Sequence, residues 1–179
     1  MSNKIINTEQ GHWLLAKMGK KVLRPGGKEL TMKLIQGLDI THLDRVVEFA
    51  PGIGFTAFKV LKLNPKSYTG VELNEEAAMH LKRKINGRNR NIIIGNASKV
   101  SLENESADKV YGEAMLTMQA DHRKSEIIRE AYRLLRKGGL YGIHELGLTP
   151  DQLAEDKKAG IQQELAKCIK VNARPLTQS

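Results

Sequence analysis

One stretch constrains this chain more than any other: Val46-Val47-Glu48-Phe49-Ala50-Pro51-Gly52-Ile53-Gly54-Phe55-Thr56-Ala57. A mostly apolar run suited to a buried strand passes into a turn with two glycines and then into residues that can start a helix. Gly52 and Gly54 let the backbone take positive φ or approach a ligand where a Cβ would clash, and the helix start presents free N–H groups. A loop of this build can cradle a nucleotide-like cofactor.

The acidic residues around the loop narrow the choice. Glu48 lies inside the apolar strand, where a carboxylate needs a cationic or hydrogen-bonding partner. Glu72 closes the next expected strand, Ser67 to Leu73, at a spacing of about 20 residues that suits bonding to ribose hydroxyls. A carboxylate has enough lone pairs to accept from both the 2′-OH and the 3′-OH. Gly52-x-Gly54-x-x-Ala57 with Glu72 also satisfies the dinucleotide fingerprint, so an NAD(P)-dependent oxidoreductase stays open. Glu48 within strand one and Pro51 within the loop count against it.

With Glu48-x-Ala50-Pro51-Gly52-x-Gly54 and Glu72 in place, the chain resembles the class I S-adenosylmethionine-dependent methyltransferases, small-molecule type, from Val46 to Glu145. Ala50 departs from the pattern, since many relatives carry a glycine there. Arg133-Leu134-Leu135-Arg136-Lys137-Gly138-Gly139 resembles the signature that leads into strand five of this family, with Lys137 in place of the usual proline. The resemblance implies S-adenosyl-L-methionine as cofactor and a small-molecule methyl acceptor. Glu48, Ala50, Pro51, Gly52, Gly54, Glu72, Leu73, Asn96, Ala97 and Glu113 would line the cofactor site. Asn96 would meet the adenine amino group and the next backbone N–H a ring nitrogen, while turn formation is the competing role for Asn96. Glu113, His144 and Glu145, each at an expected C-terminal strand end, are the candidates for a catalytic base, if one is needed. For His144 and Glu145 an ordinary strand role competes. A binding protein without catalysis remains an alternative.

Composition limits the partners. The 179 residues, 40% hydrophobic and 27% charged, suit one domain with a real core. No apolar run reaches membrane-spanning length and no signal-peptide pattern opens the chain, so the cytoplasm is the expected compartment. Cys168 stands alone, without cysteine partners for a disulfide or a zinc site, and no metal is expected. The net charge of +9 raises nucleic acid as a partner and an RNA-directed methyltransferase as an alternative. Lys82, Arg83, Lys84, Arg88 and Arg90 fall at the end of an expected helix starting after Asn74, where they complement its dipole, and aromatic content is only 4%. That balance favours a solvated helix face.

The remaining pattern is α/β, with a Rossmann-like parallel sheet. A helix over Thr8–Lys21, with Trp13 inward or over the site, and a turn at Arg24 to Gly27 open an N-terminal helical cap, residues 1–40. The cap also holds a helix over Lys28–Gly37, and a core over 45–146 holds helices Phe55–Leu63 and Asp121–Arg136 and strands Asn91–Ile94, Lys109–Glu113 and Leu140–Leu146. A helical segment fills 149–179, with Thr149 as N-cap, Pro150 first in the helix and a break at Gly160. The resemblance implies a seven-stranded sheet closed by a C-terminal hairpin, but only helical pattern follows Leu146. The expectation is therefore five strands in the order 3-2-1-4-5, and a chain cut from a protein of roughly 230 to 250 residues.

Overall fold

The computed structural model describes residues 26–169 and 173–177. The expected helix Thr8–Lys21 with Trp13, the Arg24 turn and the Cys168 side chain lie outside the described residues. Five parallel strands, β1 (Arg45–Phe49), β2 (Ser67–Glu72), β3 (Arg90–Ile94), β4 (Ala107–Glu113) and β5 (Leu135–His144), form one sheet in the order β3-β2-β1-β4-β5. The helices are α1 (Gly27–Leu38), α2 (Phe55–Leu61), α3 (Glu75–Lys84), α4 (Asp121–Leu134) and α5 (Glu155–Ile169).

The pleat explains why Val46 to Phe49 of the central strand are apolar save for Glu48. Val46 packs with Ile35 and Leu38 of α1, Val60 of α2 and Leu81 of α3, whereas Val47 and Phe49 pack with Ile127, Ala131 and Leu134 of α4. Both faces of β1 are covered, so each position must satisfy a core. Val46, Val47 and Phe49 are each almost fully buried, which is worth about 1.5–3 kcal/mol per side chain. Asn74 caps α3 as its side chain predicts, its Oδ1 accepting from the Ala77 N–H at 2.9 Å.

Two expectations are corrected near the end of the core. The helix stops at Leu134 rather than Arg136, and β5 starts at once at Leu135 rather than Leu140 and ends at His144 rather than Leu146, so Gly138 and Gly139 lie inside the strand. Ala107 pairs with Leu135 but Lys109 already pairs with Leu140, so the intervening residues bulge out of the ladder. Gly138 takes φ 78° there, and a Cβ on Gly139 would stand 2.9 Å from the Asp108 carbonyl. The bulge needs both glycines. The second correction concerns the last helix, which starts at Glu155 rather than Pro150 and runs through Gly160 without a break.

Beyond β5, no strand of a hairpin appears among the described residues, and residues 173–177 return to the segment that follows β5 instead. The Leu148 N–H donates to the Leu176 carbonyl at 2.8 Å, and the Leu176 N–H to the Leu146 carbonyl at 2.9 Å, a single parallel bridge. The buried Lys124 ammonium of α4 donates to the Arg174 carbonyl at 2.8 Å and to Asp121 at 3.0 Å, fastening this return to the body.

At the N-terminal strand ends Asp108 joins β1, β4 and β5. It accepts from the Arg45 backbone N–H at 2.7 Å and Nε at 2.9 Å, and from Arg136 Nε. Partial burial pushes its carboxyl up, but the Arg45 and Arg136 hydrogen bonds outweigh this and hold it well below the usual carboxylate range. A depressed carboxyl stabilises the fold above its unfolded value and loses that contribution as the pH falls through the folded one. Asp108→Asn is therefore expected to destabilise by about 2 kcal/mol at neutral pH, the scale of hydrogen bonds to a charged group. The gap to wild type should begin to narrow below roughly pH 4, the ordinary Asp range, and keep narrowing as the pH falls further. Urea denaturation of both proteins across pH checks this, and a gap independent of pH would refute it.

Candidate cofactor and active site

The strand order reverses between β1 and β4, and in open parallel sheets the ligand crevice opens outside the C-terminal strand ends at that switch. The loop between β1 and α2 forms one wall. Ala50, Gly52 and Gly54 take φ 52°, 57° and 86°, all left-handed. Gly54 is needed twice over, because a Cβ there would come within 2.6 Å of Leu81 as well as strain the backbone. A Cβ on Gly52 would meet nothing within 4 Å, so this glycine serves conformation and leaves open space above it. Pro51 is buried and its carbonyl accepts from the Gly54 N–H at 2.9 Å, closing the turn. The opposite wall follows β4, where Ala114 also takes a left-handed φ of 53°. Non-glycine residues in that region carry strain of about 1–2 kcal/mol each, and here Ala50 and Ala114 both flank the switch point.

Glu72 is the carboxylate of this crevice. It is 6% exposed, accepts the Gly52 N–H on Oε2 at 2.8 Å and accepts the Asn74 N–H on Oε1 at 2.9 Å. Each oxygen keeps a further lone pair for a ligand hydroxyl. Leu73 beside it is 63% exposed, an apolar shelf at the strand end, whereas Ala97 is buried. Asn96 is exposed and its Oδ1 accepts from the Ser98 N–H at 2.9 Å, so it forms the turn that competes with its cofactor role.

Behind the loop, on the face covered by α1, α2 and α3, lie two buried acids. Glu48 Oε2 accepts the hydroxyls of Tyr68 at 2.5 Å and Tyr111 at 2.6 Å. Burial first, and then the Glu48 charge, push both tyrosine hydroxyls well above their ordinary value, so they remain donors. Glu113 Oε1 accepts from Thr31 Oγ1 of α1 and lies against His144 Nδ1 of β5, each at 2.8 Å, while Oε2 accepts from Thr56 Oγ1 of α2 at 2.5 Å. The Glu113 and His144 side chains are only 3% and 7% exposed.

Glu145 stands apart from them. It accepts the Met115 and Leu116 N–H groups at 2.6 and 2.7 Å, and the Thr117 N–H and Oγ1 at 3.1 and 2.7 Å. The structure thus gathers Glu48, Glu113 and His144 into one buried layer, sets Ala50 to Gly54, Glu72, Leu73, Asn96 and Ala97 at or just past the C-terminal ends of β1, β2 and β3, and spends Glu145 on the loop after β4.

Sequence reasoning missed Thr31, Thr56, Tyr68, Tyr111, Thr117 and Ala114. Thr31 was findable, because it shares the helical stripe of Leu34, Ile35 and Leu38, where a hydroxyl must have a partner. Ala114 gives no signal at all in its residue type.

Known proteins agree with this architecture. Residues 46–139 match the methyltransferase domain family. An uncharacterized protein of Haemophilus influenzae is 36% identical over 174 residues, which cover 95% of this chain and 67% of that one. Ribosomal RNA small subunit methyltransferase A of Prochlorococcus marinus is 33% identical over 93 residues, covering 51% of this chain and 33% of that protein. Among solved structures, phospholethanolamine N-methyltransferase 2 of Haemonchus contortus, in complex with phosphomonomethylethanolamine and S-adenosylhomocysteine, superposes with a TM-score of 0.65 at 20% identity. That alignment covers 86% of this chain and 35% of the other, so the chain spans between one third and two thirds of these relatives. The family match spans more than half of the chain, including the glycine loop, Glu72, Asn96 and Glu113, and the chain belongs to the methyltransferase domain family.

Proposed function

We propose that this chain binds S-adenosyl-L-methionine in the β1/β4 crevice and directs its methyl group to a small-molecule acceptor. The observation that carries the reading is the Glu72 carboxylate, which is tied to the Gly52 N–H beneath a left-handed loop with open space above it. Glu72 would accept the ribose hydroxyls, with Leu73 along one face of the adenine and Asn96 with the Ala97 N–H at its edge. Ala50, Pro51, Gly52 and Gly54 would shape the loop against the amino-acid end of the cofactor. Glu48, braced by Tyr68 and Tyr111, would serve the amino group from behind the loop, directly or through water.

When bound, the sulfonium supplies an already reactive methyl group. The residues then have to hold the acceptor in line with that methyl and keep water out. Glu113 and Glu145 are each engaged by several donors and His144 lies against the Glu113 carboxylate, so we assign all three positioning roles. Glu113 and His144 seat α1 and α2 against the strand ends, and Glu145 sets the loop after β4. An acceptor served this way brings its own lone pair, as the amine-type acceptor bound in the Haemonchus contortus structure illustrates. The Prochlorococcus marinus relative acts on ribosomal RNA by its name, and that acceptor class is the second reading. Incubation with methyl-labelled donor and a cell extract, followed by separation of small molecules from RNA, distinguishes the two. Label in the RNA fraction alone would overturn the small-molecule acceptor.

Glu72→Ala is expected to weaken S-adenosylhomocysteine binding by about 1.5–3 kcal/mol. It should also lower stability by about 1 kcal/mol, since the Gly52 and Asn74 N–H groups lose their acceptor. Calorimetry and urea unfolding measure the two effects, and unchanged affinity in the folded variant would remove Glu72 from the site. Glu48→Gln should lower both affinity and stability, the latter by about 2 kcal/mol, because two buried hydroxyls lose a charged acceptor. Full affinity in a destabilised Glu48→Gln protein would reduce Glu48 to support of the fold.

A further inference from the structure

The sheet end opposite the crevice carries a chemistry that methyl transfer does not use. Residues 62–66, between α2 and β2, and residues 85–89, between α3 and β3, lead into the N-terminal ends of adjacent strands. They are stitched together. The Arg90 guanidinium donates to the Pro65 carbonyl at 2.9 Å and Asn64 Oδ1 at 3.3 Å, and the Asn89 carbonyl accepts the Tyr68 N–H at 3.0 Å. The joined surface presents Lys62, Lys66, Lys82, Arg83, Lys84 and Arg88, all exposed. Among the described residues none of these six side chains forms an ion pair or a hydrogen bond.

Magnitudes decide against a purely local role for these cations. A helix C-terminus carries about half a negative charge, so the ends of α2 and α3 together balance roughly one cation of the six. Residues 49–71 and 77–102 contain no Asp or Glu, so neither segment supplies carboxylates to offset the rest. The adjoining entry to β1 adds Asp39 and Asp44, which leaves the six cations in excess, and such a predominantly positive field attracts a polyanion.

We propose that this face docks the phosphodiester backbone of a nucleic acid. Residues 59–66 and 80–91 contain no Phe, Tyr or Trp, so the surface would hold phosphates without stacking bases, and binding would be insensitive to sequence. A membrane fits less well, because adsorption needs an apolar face to enter the lipid, and over 62–66 and 82–90 Leu63 is the one large apolar side chain that is exposed. The six residues of β2 put about 20 Å between this face and the crevice, so the proposal holds whichever acceptor is methylated.

The test is fluorescence anisotropy of a labelled, mixed-sequence RNA single strand of about 20 nucleotides against the full chain at several KCl concentrations. With four phosphates neutralised, affinity should fall with a log–log slope near −3, about 50-fold between 50 and 200 mM KCl. The Lys82→Gln, Arg83→Gln, Lys84→Gln, Arg88→Gln protein should bind at least about tenfold more weakly at the lower salt, with a slope reduced by about 2 or more. Its thermal midpoint and S-adenosylhomocysteine affinity should match wild type, which separates failure of this proposal from failure of the cofactor reading. No RNA binding by wild type, or undiminished binding by the folded variant, overturns the proposal. So does patch-dependent binding to phosphatidylglycerol vesicles in place of RNA.

Discussion

The buried carboxylate of Glu113 is the interaction on which the crevice depends. It ends β4 at the switch point and meets three elements distant in sequence: Thr31 of α1, Thr56 of α2 and His144 of β5. A carboxylate buried without partners would destabilise the fold by several kcal/mol, so its donors and its position select each other. Thr56 follows Gly54 by two residues, so the same carboxylate that seats α1 also fixes where the glycine loop must enter α2. Glu48 repeats this logic one strand over with two tyrosine hydroxyls, and Glu145 repeats it on the β4–α4 loop with three backbone N–H groups. The acids at these strand ends are thus engaged from within the chain, Glu72 among them through the Gly52 and Asn74 N–H groups.

Local strain sits at the C-terminal ends of the two central strands. Ala50 and Ala114 both hold left-handed backbone at the ends of the two central strands. Each is fixed by a hydrogen bond to a neighbouring strand, the Ala50 N–H to the Val71 carbonyl and the Ala114 N–H to the His144 carbonyl, both at 2.8 Å. The backbone at the switch point is therefore fixed by hydrogen bonds within the sheet.

The central strand and the loop were legible in the sequence for physical reasons, while the sheet order followed from the family resemblance. A central parallel strand must be apolar on both faces, which marks Val46 to Phe49, and a left-handed turn favours glycine, which marks Gly52 and Gly54. Asn74 announces its helix because only a side-chain acceptor satisfies that N–H. What was not legible depends on distant partners. Glu113, His144 and Glu145 stand at strand ends as expected, yet which donors they meet follows from packing of α1, α2 and the β4–α4 loop. The Gly138-Gly139 pair fits a helix stop and a bulge equally well in sequence, and only the shift from Leu135 to Leu140 against β4 decides for the bulge. The start of α5 was misplaced because Thr149-Pro150 is a good capping pair wherever it occurs, so it could not distinguish a helix start from a turn.

The central claim is that the crevice above Gly52 is built for S-adenosylmethionine. Amide resonances of the nitrogen-15-labelled protein, followed while S-adenosylhomocysteine is added, test it most directly. The account predicts saturable shifts at Gly52, Gly54, Leu73 and Ala97, with the amide of Arg45 at the far end of the sheet unmoved. Shifts absent from the loop, or produced there by NADH and not by S-adenosylhomocysteine, would contradict it.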